Sequence, residues 1–282
     1  MSKYSENLNI DLETGQTAKE DNRSKKKWTH FLLPTLIGLS LIAVVVFASI
    51  YFRLEDEYKT GNDFYQNIRE DQISLLKVKE EITRTTPQAE QVSNNSASMD
   101  FMYLQTVNED VVAWITATGL AIDLPIVQGD DNEYYLTHLF DNQPNRLGTL
   151  FMDVYNKPDF SDKNTVIYGH NMNDGSMFAT LANYRTQDFY ESFPVMDLYT
   201  PTNDYQIELF AGYVAGGDEP FIQFKFSDDS DFLAYINGLK QKSTFESTVT
   251  IEPEDRIVTL STCSTDFDNA RYVVVGKLVP KN

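Results

Sequence analysis

The sequence predicts a mainly β fold: a closed or nearly closed eight-stranded barrel with a few scattered helices, preceded by one membrane-spanning helix. Three observations carry this. Short apolar runs rich in β-branched residues recur after residue 101, separated by Gly, Pro, Asn and Asp. Helical periodicity is sparse in the same region. A single long uncharged stretch stands apart near the N-terminus.

That stretch, Phe31 to Phe52, holds 22 residues without a charge. At about 1.5 Å rise per residue it covers the roughly 30 Å hydrocarbon core of a bilayer. It follows a long polar tail and ends in bulky Tyr51-Phe52, whereas a cleaved signal has a shorter apolar region and a small-x-small exit. A retained anchor over 28–52 is therefore expected. Arg23, Lys25, Lys26 and Lys27 precede it and Glu55, Asp56 and Glu57 follow, so the positive-inside rule puts the 1–27 tail in the cytoplasm and the rest outside the cell, on a single-pass membrane protein.

Of 23 basic and 42 acidic residues, 6 and 5 lie at or before position 52, leaving 17 against 37 beyond it. An exterior so acidic excludes nucleic acid as the main partner and does not fit a polybasic lipid binder. One cysteine excludes an intramolecular disulfide, and one cysteine with three histidines excludes a Cys-rich zinc site. No metal site and no cofactor are expected, since no EF-hand-type loop is present either.

Residues 53–84 show near-helical spacing of Tyr65, Ile68, Leu75, Leu76 and Ile82, which predicts one or two amphipathic helices broken near Gly61. With the polar linker Thr85–Ser98 they form a stalk over 53–100. The barrel occupies 101–282, with strands at Val111–Thr116, Ala121–Gln128, Gly148–Asp153, Thr165–Gly169, Val195–Thr200, Tyr205–Ala215, Arg256–Thr262 and Arg271–Val279. Helices are expected at Asn132–Leu139, Gly175–Tyr184 and Ser230–Lys242, the last with an acidic first turn.

Three reactive residue types fall at strand ends. Cys263 follows Ile257–Thr262, His170 follows Thr165–Gly169, and Arg271 opens the last strand. If the last two strands pair antiparallel, Arg271 returns beside Cys263. Such a trio supports acyl transfer through a thioester: a thiolate nucleophile, an imidazolium to protonate the leaving amine, and a guanidinium for the oxyanion. Each residue alone also fits a structural role, Cys263 as a small buried hydrophobe, His170 as a turn residue, Arg271 as an ion-pair partner. His138, among Tyr134, Tyr135, Leu139 and Phe140, suits a partly buried structural place, and His30 belongs to the membrane boundary.

Thr259-Leu260-Ser261-Thr262-Cys263 resembles the TLxTC signature of sortases, membrane-anchored cysteine transpeptidases of Gram-positive bacteria. Tyr168-Gly169-His170-Asn171-Met172 with Asp174–Phe178 is similar to the histidine region of class B members. So are Asn108–Ile115 and Asp131–Leu136. The resemblance covers about residues 100–282. It implies the eight-stranded sortase barrel with N-terminal helices and a helix between strands six and seven, where Ser230–Lys242 fits. Phe221, Phe224 and Tyr235 lie where they would line that helix's groove, and equally where core aromatics belong. Catalytic roles pass to Cys263, His170 and Arg271, and substrate binding to Leu260, Ser261 and Thr262. The implied partners are surface proteins or pilins bearing a sorting signal, and an amine from a peptidoglycan precursor or a pilin lysine. Two other readings stand beside it: a plain cysteine peptidase (a hydrolase), and a non-catalytic tethered binding domain with a structural cysteine.

Overall fold

The computed structural model of the chain describes residues 17–85, 99–217 and 222–281. The expected Thr85–Ser98 linker lies almost wholly outside them, as do Phe221 and the first part of the 1–27 tail. The chain divides into two compact units, Met1–Asp56 and Glu57–Asn282. In the first, the apolar part of helix α1 (Thr17–Thr85) contains a window of mean hydropathy 2.4, none of it buried, long and apolar enough to cross a membrane once.

The second unit is a closed barrel. Its strands are β1 (Val111–Thr116), β2 (Asp123–Val127), β3 (Leu150–Met152), β4 (Asn164–Tyr168), β5 (Val195–Tyr199), β6 (Asp204–Gly216), β7 (Ile257–Cys263) and β8 (Ala270–Pro280). Around the barrel they run β1-β2-β3-β4-β7-β8-β6-β5, and β5 closes back on β1. Two pairs are parallel, β2 with β3 and β4 with β7; the others are antiparallel. All eight expected strands are present, displaced by two residues or fewer at each end.

Two cores hold the unit together. Val258, Leu260, Ile167, Tyr272 and Val274 belong to the interior core. Ile257, Val273, Val275, Phe210 and Tyr213 belong to a second core under α4 (Asp229–Lys242). Phe232, Ile236 and Leu239 of α4 supply its buried stripe, at helical spacing. The Asp228 carboxylate accepts from the Asp231 N–H, and Asp229 and Asp231 sit in the first turn with Lys240 and Lys242 in the last, so caps and charges suit the helix dipole. The aromatic ring of Tyr235 packs on this core, while Phe224 lies beside Tyr155.

Helices account for the departures from expectation. α1 runs through Gly61 without a break. Gly61, Tyr65, Ile68 and Gln72 make its buried stripe, and a Cβ on Gly61 would stand 2.9 Å from Leu147 Cδ2. The glycine serves close approach, so residues 57–72 pack on the barrel. The Tyr65 hydroxyl donates to Gly148 O at 2.6 Å. The helix expected at Asn132–Leu139 is one 3-10 turn, Tyr134–Leu136. The Asp131 carboxylate accepts from the Glu133 and Tyr134 N–H groups, and the chain then folds back, Leu139 N–H donating to Gln143 O and Asn145 N–H to Thr137 O. Gly175 (φ 85°) and Met177 (φ 54°) are left-handed, which delays the second expected helix to a 3-10 segment, Ala179–Arg185. Two short helices went unforeseen, α2 (Phe101–Val107) and α3 (Gln187–Ser192).

Gly148 (φ 62°) and Gly175 share the left-handed backbone but not their surroundings. A Cβ on Gly148 would lie 2.4 Å from Tyr135 O and 2.9 Å from Leu136 O, whereas one on Gly175 meets nothing within 4 Å. Gly175→Ala should cost about 1–2 kcal/mol from backbone strain alone. Gly148→Ala should add a further ~1–3 kcal/mol of overpacking. Thermal melts of the two variants check the order; equal losses would mean that the loop around Leu136 yields freely.

Candidate active site

Strand β7 is buried from Ile257 to Thr262 and becomes exposed at Cys263, its last residue. The free thiol therefore stands at the barrel rim, which overturns a small-hydrophobe role for it. Side chains alternate along a strand. Ile257 joins the core under α4 while Val258 and Leu260 join the interior, so parity places Ser261 and Cys263 on the outer face and Leu260 and Thr262 on the inner one.

Both neighbours of β7 deliver a reactive group to this rim. Cys263 is in register with Arg271 on β8, so the two share the outer face with Val273 and Val275. On the other side β4 runs parallel to β7, ending in the pair Tyr168–Ser261. His170 and Cys263 each stand two residues beyond that pair, leaving the same end of the barrel. Gly169 N–H donates to Ser261 O at 3.1 Å and Asn171 Nδ2 to Cys263 O at 2.9 Å, which keeps the His170 segment against β7.

A carbonyl fixes the imidazole. His170 Nε2 lies 2.6 Å from Leu136 O, and a carbonyl only accepts, so Nε2 carries a proton and Nδ1 is the other exchanging nitrogen. Leu136 O is one of the two carbonyls that a Gly148 Cβ would crowd, and Gly148 O in turn accepts from Tyr65. Beyond His170 the chain closes on itself, with Phe178 N–H donating to His170 O and Asn171 bridging Met177. Asp174 braces that turn. Burial works to raise its pKa, but hydrogen bonds from Ser176 and from Asn62 of α1 outweigh this and hold the carboxyl below its usual range.

Arg271 makes no ion pair among the described residues; its one side-chain hydrogen bond is Nη1 to Ala270 O at 3.1 Å. A partly buried guanidinium without a carboxylate can stabilise an anion. Close by, burial and the Asp153 carboxylate push the Tyr168 hydroxyl far up, with Arg271 opposing them, and that hydroxyl donates to Asp153 Oδ2 at 2.8 Å. The hydroxyls of Ser261 and Thr262 are buried with no hydrogen-bond partner among the described residues. Leu260 is wholly buried in the interior core. His138 is half-buried and stacked on Tyr134 at 3.9 Å between ring centroids, with its Nδ1 2.8 Å from Tyr134 O. An open cleft of about 420 Å³ lies elsewhere, lined by Tyr155 and 222–225, with none of the trio in its wall. No cluster of three or more metal-ligating side chains occurs among the described residues.

One neighbour of Cys263 was not foreseen. Arg185 forks onto Asp266 (Nη1–Oδ1 3.0 Å, Nη2–Oδ2 2.6 Å) and donates to Ser264 Oγ at 2.9 Å, one residue past Cys263. Nothing in the local sequence signals it, since the contact spans 79 residues.

No family model matches the chain. Sortase B of Listeria monocytogenes is 38% identical over 251 residues, covering 88% of this chain and 99% of that protein. Sortase B of Staphylococcus aureus is 29% identical over 250 residues. Among solved structures, S. aureus sortase B superposes with a TM-score of 0.65 over 76% of this chain and 99% of its own. Clostridium perfringens sortase B, 36% identical, does so with 0.61 over 64% of this chain and all of its own. The S. aureus protein has also been solved as a substrate complex, and a sortase B with triglycine bound. Agreement in sequence over most of the chain, and in the barrel that carries Cys263, His170 and Arg271 to one rim, leads to one conclusion: the chain belongs to the sortase B family of transpeptidases.

Proposed function

We propose that this chain is a cysteine transpeptidase that cleaves the C-terminal sorting motif of surface proteins and transfers the acyl part to an amine of the peptidoglycan cross-bridge. The carrying observation is the exposed Cys263 in register with an Arg271 that has no ion pair among the described residues, with His170 at the same strand end. The Cys263 thiolate attacks the scissile carbonyl, forming an S–C bond, and the oxyanion develops toward the Arg271 guanidinium. Collapse breaks the C–N bond. His170, protonated on both nitrogens, gives its Nδ1 proton to the departing amine and leaves a thioester. The acceptor amine then loses its proton to Nδ1 as it attacks, and the Cys263 thiolate departs. The relative solved with triglycine supports a glycine-type amine as acceptor.

Ser261, on the outer face with an unpaired hydroxyl, is the side chain of β7 best placed for the bound peptide. Leu260 and Thr262 face inward and would serve substrate binding by setting the strand's backbone. The apolar helix holds the enzyme at the membrane with its N-terminus in the cytoplasm and the barrel outside, on the surface where sorting substrates and lipid-linked wall precursor meet. Confinement to one surface raises their effective concentration.

The full chain in detergent micelles, mixed with a panel of sorting-motif peptides, should gain the mass of a peptide acyl group on Cys263 and lose it when an amine is added. Cys263→Ala should gain nothing. An adduct discharged at the same rate with or without amine would indicate a peptidase; no adduct, and a thiol inert to alkylation until denatured, would leave a non-catalytic domain. Arg271→Lys should lower kcat by about 10²–10³, because a point charge does not replace a planar fork, while Cys263 stays open to alkylation. A wild-type rate in that variant would remove Arg271 from the oxyanion role.

A further inference from the structure

We propose that Arg185 is a positioning residue of this site, clamping the β7–β8 loop so that Cys263 and Arg271 stay opposed. The proposal rests on the transpeptidase reading and deepens it. Cys263 and Arg271 are in register, but only the Ser264–Ala270 connection joins their strands at that end. Residues 265–269 are exposed and bury nothing, so polar ties must hold the loop. Ser264 N–H donates to Ala270 O, and Gly217 N–H to Asn269 O. Arg185 supplies the charged tie. Its guanidinium takes both oxygens of Asp266 and the Ser264 hydroxyl, and Ser264 is also hydrogen-bonded to Asp266. The fork thereby grips the loop at the residue after the nucleophile and again two residues on. The hydrogen bonds from Arg185 and Ser264 hold the Asp266 carboxyl below its usual range, which agrees with a tie kept through mild acid.

The direction of the grip is what suits a device for positioning. Arg185 lies over the Tyr272 ring at 4.7 Å, and Tyr272 belongs to the interior core and pairs in register with Thr262. The Tyr272 hydroxyl meets Thr244 Oγ1 at 2.7 Å, and Thr244 Oγ1 donates to Tyr184 O, beside Arg185 itself. The clamp thus reaches the loop from the inner side and leaves the outer face, with Cys263 and Arg271, open to a peptide. Stability does not explain it. Both side chains are about a third exposed, where a single ion pair contributes little to folding. A reacting group misplaced by about 1 Å, by contrast, costs on the order of 10²-fold in rate. An arginine is required, since one lysine nitrogen does not hold two carboxylate oxygens and stack on a ring together.

Amine-dependent transpeptidation by the full chain in detergent is compared for wild type, Arg185→Gln, Asp266→Asn and the double variant. Each single change should lower kcat about tenfold with KM within about twofold, and the double should be no worse than the worse single, the mark of two groups acting as one. Arg185→Lys should fall between wild type and Arg185→Gln. Melting temperatures should stay within about 2 °C, no more than a loss of about 1 kcal/mol brings in a domain this size. An unchanged kcat, a loss confined to KM, or multiplicative losses in the double variant would overturn the proposal. The isosteric, exposed Asp266→Asn keeps the test open should Arg185→Gln fold poorly. Wild-type chain that forms no thioester would bring down the transpeptidase reading and this proposal with it; wild type that acylates beside unaffected variants brings down this proposal alone.

Discussion

Strand β7 lies between a parallel neighbour and an antiparallel one, and that pairing brings Cys263, His170 and Arg271 to one rim. A parallel neighbour ends where β7 ends, so the residues after β4 arrive at the rim with Cys263. An antiparallel neighbour begins where β7 ends, so the start of β8 arrives there too. No other arrangement of three adjacent strands brings one strand's last residue, the residues after a second and the first residues of a third to one point without a long loop. The price is a ladder buried on both faces: six consecutive residues, Ile257–Thr262, have lost their water and must pack or hydrogen-bond.

Most of those six comply, and the exceptions fall beside the nucleophile. Thr259 Oγ1 donates to Asn164 Oδ1 at 2.8 Å, and Asn164 Nδ2 donates to Gln223 O, so the middle of β7 is tied to β4 and to the stretch before α4. Ser261 and Thr262 have no such partners. A buried hydroxyl without a hydrogen bond costs about 1–3 kcal/mol, so two in succession form a local deficit in an otherwise satisfied strand.

Legibility in the sequence followed the range of the interaction. Strands declared themselves through β-branched runs and turn residues, and all eight were placed. Glycines misled wherever their reason was tertiary: Gly61 reads as a helix break because its true cause, Leu147, lies 86 positions on. Gly175 sits inside a pattern that reads as helix, and its positive φ is invisible without coordinates. At the site, Cys263, His170 and Arg271 were visible because strand ends and family motifs mark them. Leu136 O was not, since a backbone carbonyl carries no residue signature, and Arg185 was not, since nothing near it in sequence shares its partners. Residues of reactive type at strand ends are marked by type; those that hold them in place are marked only by contact.

The supports of the trio come from different elements, and this bears on how the site behaves when perturbed. His170 depends on Leu136 O, and through Gly148 and Tyr65 on α1; the turn after it depends on Asp174 and Asn62, again of α1. Cys263 and Arg271 depend on the β7–β8 ladder and on Arg185 at its end. These two groups of contacts meet where Asn171 Nδ2 donates to Cys263 O and Gly169 N–H to Ser261 O, so a change in one is passed to the other. The segment 57–72 of α1 therefore acts first on the surroundings of His170 and only through them on Cys263. A helix whose earlier turns are apolar enough to cross a membrane continues into turns whose Asn62 and Tyr65 hold the surroundings of His170.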